Sequence, residues 1–415
     1  MKLLVFAHTP PPHHGQSYMV QLMLEGFGGD ARQPKTEADG VKANCHDIQC
    51  YHVNARFSRS LSDVGKFQGA KMLLVFWFCL QAIWIRYRYG VTNFYYVPAP
   101  GKKLALYRDW LVMLVCRPFF KKLILHWHAA GLAKWLEMEN SIQYRAITWR
   151  MFRPVDLSIV LSRFNQGDGQ KLLSGKTMVL GNGIPDPCSD FMATMLPRRR
   201  ARLAARVRLL AGKSLQPSET AAAGGAPQIV KILYLAHCMR KKGLFDAVEA
   251  VRLANRQLAK RGSPLQLQLA VAGHFVTSDE QAEFDRLRRD PELTGALRHV
   301  GFVSGDRKSA LYREADIFCF PTYYPAESFG LVVVEAMAFG LPIVTTRWRS
   351  LPELFPMDYP GLVDVQSPDQ VASALIQFAT SPKDDLPTQL RSRFQDHFVF
   401  EQHLANLAAA LHSVE

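Results

Sequence analysis

Residues 315–342 read ADIFCFPTYYPAESFGLVVVEAMAFGLP, and the order of residue types predicts a strand, a loop, a helix and a second strand. The apolar run at 317–320 predicts a buried strand, which the following proline ends because it lacks the amide N–H of a sheet ladder. Ser328 is a favourable N-cap, so we expect the helix to begin near it. Gly340 and the proline two residues later end that helix. The stretch is one unit of an α/β domain.

The N-terminus of this predicted helix is suited to an anionic or hydroxyl-rich ligand. Its backbone N–H groups and the positive end of the helix dipole attract phosphate. Gly330 has no Cβ, which lets a ligand approach the backbone closely. Glu335 lies about 10 Å along the helix axis from Ser328, at roughly 1.5 Å per residue. A carboxylate there can accept hydrogen bonds from both hydroxyls of a ribose, which favours a nucleotide ligand.

Apolar runs alternate with helical patterns along the rest of the chain, which is typical of parallel sheets covered on both faces. The fold class predicted is α/β, with two Rossmann-like domains facing each other across a cleft. A strand is predicted at 265–273, and the glutamines that alternate with apolar residues within 265–269 place it nearer a sheet edge. The other strands are predicted at 3–7, 94–97, 123–127, 157–161, 178–180, 229–236, 300–303 and 341–345.

The length of 415 residues exceeds what one hydrophobic core usually supports. We predict an N-terminal domain at 1–195, a basic, low-complexity linker at 196–228, a C-terminal domain at 229–395 and a terminal helix at 396–415 that caps either domain. The arginines at 198–208 fit either an anionic lipid surface or a solvated helix face or loop.

The predicted helix at 71–87 is rich in aromatic residues, and two roles are open for them. Phe76, Trp77, Phe78 and Trp84 fit a contact with lipid, but a role in the core is favoured.

The net charge of +14 favours anionic partners: nucleic acid, phosphorylated small molecules or an acidic membrane surface. No recognition motif with interleaved aromatic residues supports nucleic acid. The seven cysteines form no C-x-x-C pair, which is typical of buried thiols in a reducing compartment. The longest apolar run, at 72–85, is shorter than the roughly twenty residues of a membrane span. We therefore expect a cytoplasmic protein that is able to bind peripherally to the inner face of a membrane.

The spacing Glu327-x7-Glu335, with Phe329, Gly330 and Leu331 inside it, resembles the family 4 glycosyltransferases of the GT-B fold. The similarity extends over essentially the whole chain. In that family the first glutamate and the backbone after it hold hydroxyls of the donor sugar, and the second glutamate holds the ribose. The resemblance implies that these five residues bind the donor and that Glu327 is also catalytic.

Family members usually present Gly-Arg and then Lys-Gly after the first strand of the second domain, and the two cations clamp the donor pyrophosphate. Residues 235–243 read LAHCMRKKG, so Lys242 matches and is expected to be both donor-binding and catalytic. His237 occupies the arginine position. A neutral imidazole holds a diphosphate less well than a guanidinium, and Arg240 is the alternative cation.

Two further family positions lie in the N-terminal domain. Relatives carry two glycines in the first loop, where this chain has Gly15 and Gln16; we expect backbone contact with the donor phosphate or the acceptor, with an ordinary turn glycine as the alternative. His128 matches the strand-end histidine that faces the reacting sugar and is expected to be catalytic. His126 lies two residues earlier on the same strand face, and one of this pair is structural.

The resemblance implies a retaining hexosyltransferase that moves a sugar from a nucleotide-sugar to a saccharide or lipid-linked saccharide in cell-surface polysaccharide biosynthesis. The N-terminal domain is then the acceptor side and the C-terminal domain the nucleotide-sugar side. No metal or other cofactor is expected, and the chain has no Asp-x-Asp pair. A nucleotide-sugar epimerase of the same fold and a non-catalytic basic binding protein are the alternatives. A dinucleotide oxidoreductase is disfavoured because no G-x-G-x-x-G follows the first strand.

Overall fold

A computed structural model describes residues 1–11, 14–33, 46–56, 69–129, 131–138, 142–171, 174–381 and 385–415. The chain divides into two compact units. Unit 1 comprises Met1–Gly183, Ala326–Phe329 and Phe400–Glu415, and unit 2 comprises Ile184–Pro325 and Gly330–Val399. The first boundary therefore falls at Gly183 and not at residue 195, and the C-terminal helix belongs to unit 1.

Unit 1 contains a six-stranded parallel sheet in the order β2-β1-β3-β4-β5-β6. Its strands are β1 (Lys2–Ala7), β2 (Gln49–Asn54), β3 (Asn93–Tyr96), β4 (Lys122–Trp127), β5 (Val155–Val160) and β6 (Ser174–Val179). Its helices are α1 (Gly15–Gly26), α2 (Gly69–Tyr89), α3 (Lys103–Cys116), α4 (Leu132–Met138), α5 (Ile142–Phe152), α6 (Gln166–Lys171) and, at the end of the chain, α15 (Phe400–His412).

Both faces of the unit 1 sheet are buried because successive strand residues point to opposite sides. Leu4 and Phe6 pack with residues of α2 and α3 on one face. Leu3 and Val5 pack on the other face with α1 and α15. The α15 side chains in this second core are Leu404, Leu407, Ala408, Ala410 and Leu411. The C-terminal helix therefore completes one side of the first sheet.

Unit 2 contains a second six-stranded parallel sheet in the order β12-β11-β10-β7-β8-β9. Strand β8 is next to the edge strand β9, which confirms the prediction from its glutamines. The strands are β7 (Ile229–Leu235), β8 (Gln266–Ala272), β9 (Leu297–Gly301), β10 (Ile317–Phe320), β11 (Ile343–Thr346) and β12 (Leu362–Val363). The helices are α7 (Leu196–Leu210), α8 (Pro217–Ala222), α9 (Leu244–Lys260), α10 (Ser278–Arg288), α11 (Gly305–Glu314), α12 (Leu331–Ala338), α13 (Pro368–Thr380) and α14 (Leu386–His397).

The prediction of a linker at 196–228 is wrong, because α7 and α8 lie within it and α7 packs into unit 2. Arg202 and Arg206 are buried and form ion pairs with the buried Asp316. The Arg202 Nε donates to Asp316 Oδ1 at 2.6 Å. Arg199 donates to the backbone carbonyls of Phe339 and Ala315. Arg202 and Arg206 are therefore structural and do not face lipid or solvent, and the half-buried Arg199 is engaged by backbone carbonyls of unit 2.

The favoured interpretation of the α2 aromatic residues as core residues is also wrong for three of the four. Phe76, Trp77 and Trp84 are 46%, 56% and 55% exposed, while Phe78 is half-buried and packs against the core. Helix α2 is apolar on nearly every side, so its sequence periodicity does not identify the side that faces the sheet. None of the described helices combines the length and the apolar character that crossing a membrane requires.

Candidate functional site

The carboxyl ends of parallel strands lie at one edge of a sheet, where α/β proteins bind ligands. In unit 2 the backbone is tightly packed at this edge. Gly243 has φ +78°, and a Cβ on it would lie 2.1 Å from the carbonyl oxygen of Pro321, just after β10. Gly273 has φ +149°, and its Cβ would lie 1.9 Å from the carbonyl oxygen of Ala236, just after β7. Only glycine fits at either position without a shift of the backbone.

Replacing Gly243 with alanine is therefore expected to lower the free energy of unfolding by about 3 kcal/mol, since strain at φ +78° and the clash with Pro321 act together. Gly262→Ala is the matched control. Gly262 has φ +63° but no atom within 4 Å of its Cβ position, so its cost is about 1 kcal/mol. Urea titrations of both variants check the difference. Equal losses would show that the contact with Pro321 is unimportant.

Lys242 and His237 lie close together at this edge. The Lys242 ammonium is 4.7 Å from the ring centroid of Tyr324 and 5.5 Å from that of Phe320, so two aromatic faces help to hold the cation. Burial, and then the nearby Lys242 charge, lower the pKa of His237, which is neutral at pH 7. The structure thus brings together two of the residues predicted to contact the pyrophosphate. Lys242 is positively charged and His237 is neutral, so the pair carries one positive charge.

Arg240, the alternative cation, is engaged elsewhere. Its Nη2 donates to Glu283 Oε1 at 2.7 Å, and its guanidinium lies 4.5 Å from the ring centroid of Phe245. Its backbone N–H donates to Glu280 at 2.7 Å. The predicted contact of Arg240 with a diphosphate is therefore disfavoured, because the ion pair with α10 occupies the guanidinium.

Helix α12 begins at Leu331 and not near Ser328, because Gly330 is its N-cap residue at φ 79°. A Cβ on Gly330 would lie 2.6 Å from the Leu351 side chain. The positive φ and this close contact explain why glycine stands there. Leu331 is half-buried as the first residue of the helix. The first turn of the helix thus starts two residues later than the sequence predicted.

Glu335 lies one turn into α12, is only 8% exposed, and both of its carboxylate oxygens have partners. Lys308 Nζ donates to Oε1 at 2.7 Å, and Tyr312 Oη donates to Oε2 at 2.9 Å. Burial, and then the Glu335 charge, raise the pKa of Tyr312 well above its ordinary value, so the phenol remains a donor. The orientation of the Glu335 carboxylate is therefore fixed by α11.

The sequence prediction did not include Lys308 and Tyr312. They are four residues apart on α11, so they share one face of that helix. That spacing was the available signal, but nothing in the sequence connects the face to Glu335. Contact between two helices that flank a strand depends on the fold.

The first glutamate of the motif belongs to unit 1, which includes Ala326–Phe329. Ser328 Oγ donates to the backbone carbonyl of His128 at 2.6 Å, and Asn165 Nδ2 donates to the backbone carbonyl of Ser328 at 3.1 Å. Phe329 is 4% exposed and packs where Gly181 leaves space, since a Cβ there would lie 3.1 Å from its ring. These contacts place Glu327, itself 8% exposed, beside the end of β4.

The two histidines of β4 have different environments. His126 is 1% exposed, and its Nδ1 is 2.5 Å from the hydroxyl of Tyr95. His128 is 9% exposed, and its ring centroid is 4.1 Å from that of His126. Burial, followed by the proximity of His403 and His14, lowers the pKa of His128 to about 3, so the imidazole is neutral at pH 7. His126 is the structural member of the pair and His128 the better candidate for ligand contact.

Gly15 and Gln16 form the first turn of α1, with His14 as the N-cap residue. The Ser17 backbone N–H donates to His14 Nδ1 at 3.3 Å, and the His14 backbone N–H donates to Ser17 Oγ at 3.2 Å. The Nε2 atoms of His14 and His8 are 2.8 Å apart. Gly15 therefore lies at the N-terminus of a helix, as the predicted backbone contact requires. The sequence prediction did not include His8 and His14, which lie beside it.

Among the described residues, no group of three or more His, Cys, Asp or Glu side chains is arranged to hold a metal ion. The described cysteines are free and buried; Cys45 lies outside the described residues.

Comparison with known proteins finds a family match in the second half of the chain. Residues 224–396 match the family model of glycosyl transferases group 1. The amylovoran biosynthesis glycosyltransferase AmsK of Erwinia amylovora is 29% identical over 183 residues, which are 43% of this chain and 43% of that protein. The chain thus aligns with less than half the length of this curated relative.

Solved structures match over nearly the whole chain. The structure of HepE from Anabaena in complex with UDP and glucose has a TM-score of 0.64 at 14% identity. The match covers 99% of this chain and 99% of that one. Sucrose-phosphate synthase from Thermosynechococcus elongatus has a TM-score of 0.66 at 17% identity, with coverage of 100% of this chain and 99% of that one. The chain therefore has the GT-B fold, and its residues 224–396 match the family model of glycosyl transferases group 1.

Proposed function

We propose that the protein is a retaining glycosyltransferase that moves a hexosyl group from a nucleotide-sugar to a saccharide or lipid-linked saccharide. The observation that carries this proposal is the fixed carboxylate of Glu335 behind the N-terminus of α12, within a domain of the glycosyltransferase family. The AmsK relative is named for amylovoran biosynthesis, which supports a role in cell-surface polysaccharide biosynthesis. Peripheral binding to the cytoplasmic face of a membrane is part of the proposal.

The donor nucleotide is held by unit 2 in this proposal. Each oxygen of Glu335 accepts one protein hydrogen bond and retains capacity for one more, which suits the two hydroxyls of a ribose. The Gly330 N-terminus and Lys242 meet the diphosphate, because both present positive charge to it. His237 adds one neutral hydrogen bond, so Lys242 carries most of the charge balance in the absence of the usual arginine.

The transfer breaks the bond from the anomeric carbon to the diphosphate oxygen and forms a bond from that carbon to an acceptor oxygen, on the same face of the sugar. The acceptor hydroxyl gives its proton to an oxygen of the leaving diphosphate, on which negative charge develops as its bond to the sugar breaks. Lys242 and the N–H groups of α12 stabilise that charge as preorganised groups. Glu327 and the neutral His128 hold sugar hydroxyls, since the neutral imidazole offers one donor and one acceptor. No divalent metal takes part.

The donor site is tested by a thermal-shift screen against UDP-, GDP- and ADP-sugars, with magnesium or with EDTA. We expect one nucleotide to raise Tm equally in both conditions, because binding to the folded state stabilises it. The shift should disappear in Glu335→Ala. A shift that requires magnesium would overturn the metal-independent mechanism, and no shift with any donor would contradict the donor site.

Removing Glu335 is expected to raise the donor KM by about 10- to 100-fold, since a charged hydrogen-bonding group is worth about 1.5–3 kcal/mol. Lys308→Met should raise the donor KM by about tenfold or less, because this change removes one partner of the Glu335 carboxylate but leaves the carboxylate in place. Glu314→Ala, on the same helix as Lys308, is the matched control and should leave KM unchanged. Initial rates at varied donor concentration measure all three. Unchanged KM in Glu335→Ala would contradict the ribose assignment.

An assay without the acceptor distinguishes the proposed transferase from the epimerase alternative. An epimerase converts the donor sugar without an acceptor, whereas the proposed transferase consumes the donor in proportion to acceptor glycosylated. Analysis of the nucleotide-sugar pool with and without acceptor decides between them.

A further inference from the structure

Helix α2 presents a continuous apolar stripe to solvent. Its members follow one another at spacings of four, three, four and three residues, so they share one side of the helix. The opposite side supplies Val75, Cys79, Ala82 and Ile85 to the core. The members of this α2 stripe, with their exposed fractions, are Leu73 (74%), Trp77 (56%), Leu80 (43%), Trp84 (55%) and Tyr87 (69%).

The neighbouring helices extend this surface. Phe119 is 37% exposed, and its ring centroid is 6.1 Å from that of Tyr87. Helix α3 packs on α2 and exposes Leu104 and Leu114 at 40% and 60%. Of the twenty-one large apolar side chains that the described part of the chain exposes, fourteen lie between residues 73 and 147. Apolar exposure on this scale in one region marks an interaction surface.

The same region holds most of the net positive charge. Residues 71–154 contain thirteen Lys and Arg but three Asp and Glu, which accounts for ten of the fourteen net positive charges of the protein. One of the three acids, Asp109, is buried and paired with Arg108. The exposed cations of this region include Arg88, Lys102, Lys103, Lys121 and Arg150.

We propose that the α2 stripe and its flanking cations dock the protein onto the surface of an anionic phospholipid bilayer. Tryptophan and tyrosine favour the boundary between headgroups and acyl chains, and lysine and arginine are attracted to anionic headgroups. A second copy of the chain is a poorer partner, because it would bring two strongly positive regions together. The proposal deepens the membrane association in the proposed function and moves it from the arginines at 198–208, two of which are buried, to α2.

The test is co-sedimentation of the full chain with vesicles of phosphatidylcholine and phosphatidylglycerol in equal amounts, and with phosphatidylcholine alone. We expect binding to the anionic vesicles that weakens as salt rises, because counterions screen the charges. Trp77→Ser/Trp84→Ser should lower the partition coefficient by about tenfold or more, since two exposed aromatic side chains no longer insert. Lys102→Glu/Lys103→Glu should lower it by about tenfold as well.

Two matched controls show that location decides the effect. Met357→Ser removes a fully exposed apolar side chain from unit 2, and Lys260→Glu/Arg261→Glu inverts an exposed cation pair there. Both should bind vesicles like the wild type. Glu327→Gln, which is expected to lose most of its activity, should also bind vesicles normally, so failure of the catalytic proposal does not affect this test.

Two results would overturn the proposal. One is that the wild type does not bind the anionic vesicles, or that the α2 variants bind them as well as the wild type does. The other is a wild-type dimer, seen by sedimentation velocity, that Trp77→Ser/Trp84→Ser converts to monomer without any effect on vesicles; the α2 stripe is then a subunit interface. Quenching of tryptophan fluorescence by brominated lipid, lost in the double tryptophan variant, would support insertion of the stripe directly.

Discussion

Replacing Glu327 with glutamine is expected to lower kcat by about 100- to 1,000-fold, the size of effect seen when a group that stabilises a transition state is removed. Glutamine keeps the volume of the side chain, so the neighbouring bond from Ser328 Oγ to the His128 carbonyl should persist. In the proposed function, what is lost is the negative charge of Glu327 and its strong hydrogen bonds to the reacting sugar. The donor KM should change by less than kcat, because the ribose and diphosphate contacts remain. Initial rates with the donor found by thermal shift measure both constants.

The kinetics of Glu327→Gln should be compared with those of Glu335→Gln. The two glutamates lie in one motif, and the proposal assigns the sugar to the first and the ribose to the second. We therefore expect a loss mainly in kcat for Glu327→Gln and mainly in KM for Glu335→Gln. Thermal unfolding of both variants must match the wild type. The opposite split, or wild-type kinetics in both, would show that the site residues are wrongly assigned.

Replacing Asp316 with alanine should lower the free energy of unfolding of unit 2 by about 3–5 kcal/mol, because it leaves Arg202 and Arg206 buried without their counter-charge. Asp316 also accepts the Lys231 backbone N–H at 2.8 Å, and that donor loses its partner too. Burial alone would raise the pKa of Asp316, but Arg206 and Arg202 bring it below its ordinary value, so the aspartate is charged at neutral pH. Urea unfolding followed by circular dichroism measures the loss.

The control is Asp358→Ala, an exposed aspartate of the same unit, which should change stability by less than about 0.5 kcal/mol. Replacing Asp316, Arg202 and Arg206 together by apolar residues of similar size should recover much of the loss, because no charge is then left unpaired. A cost below about 1 kcal/mol for Asp316→Ala would mean that water reaches the arginines in the variant.

The sequence predicted the two sheets well because buried parallel strands are short apolar runs between turns. Strand β10 and helix α9 lie where the apolar pattern placed them. Strand β2 was missed because its sequence, QCYHVN, mixes polar and apolar residues. The linker was mispredicted because arginine-rich sequence is usually exposed, and the partner that buries it, Asp316, lies more than 100 residues away in the chain.

The same limit applies to the candidate site. Glu327, Glu335, Lys242 and His128 were found through a motif, which is local in sequence, and their roles stay predictions. The side chains that orient them come from other elements, as Lys308 does for Glu335. Ser328 shows the converse error: its residue type suits an N-cap, but its hydroxyl donates to His128 instead. Propensity describes what a residue can do locally, and tertiary contacts decide between the options.

Helix α15 has a consequence for biosynthesis. Leu404, Leu407 and Leu411 complete the core beside Leu3 and Val5, so strand β1 gains part of its cover only after residues 404–411 have been synthesised. All of unit 2 is translated in between. Domains of most proteins finish folding in the order of synthesis, but here the second unit is able to reach its native state first. Until α15 has emerged, the face of the unit 1 sheet that α1 shares with α15 stays partly uncovered, and a chaperone has an apolar target there for the whole of that interval.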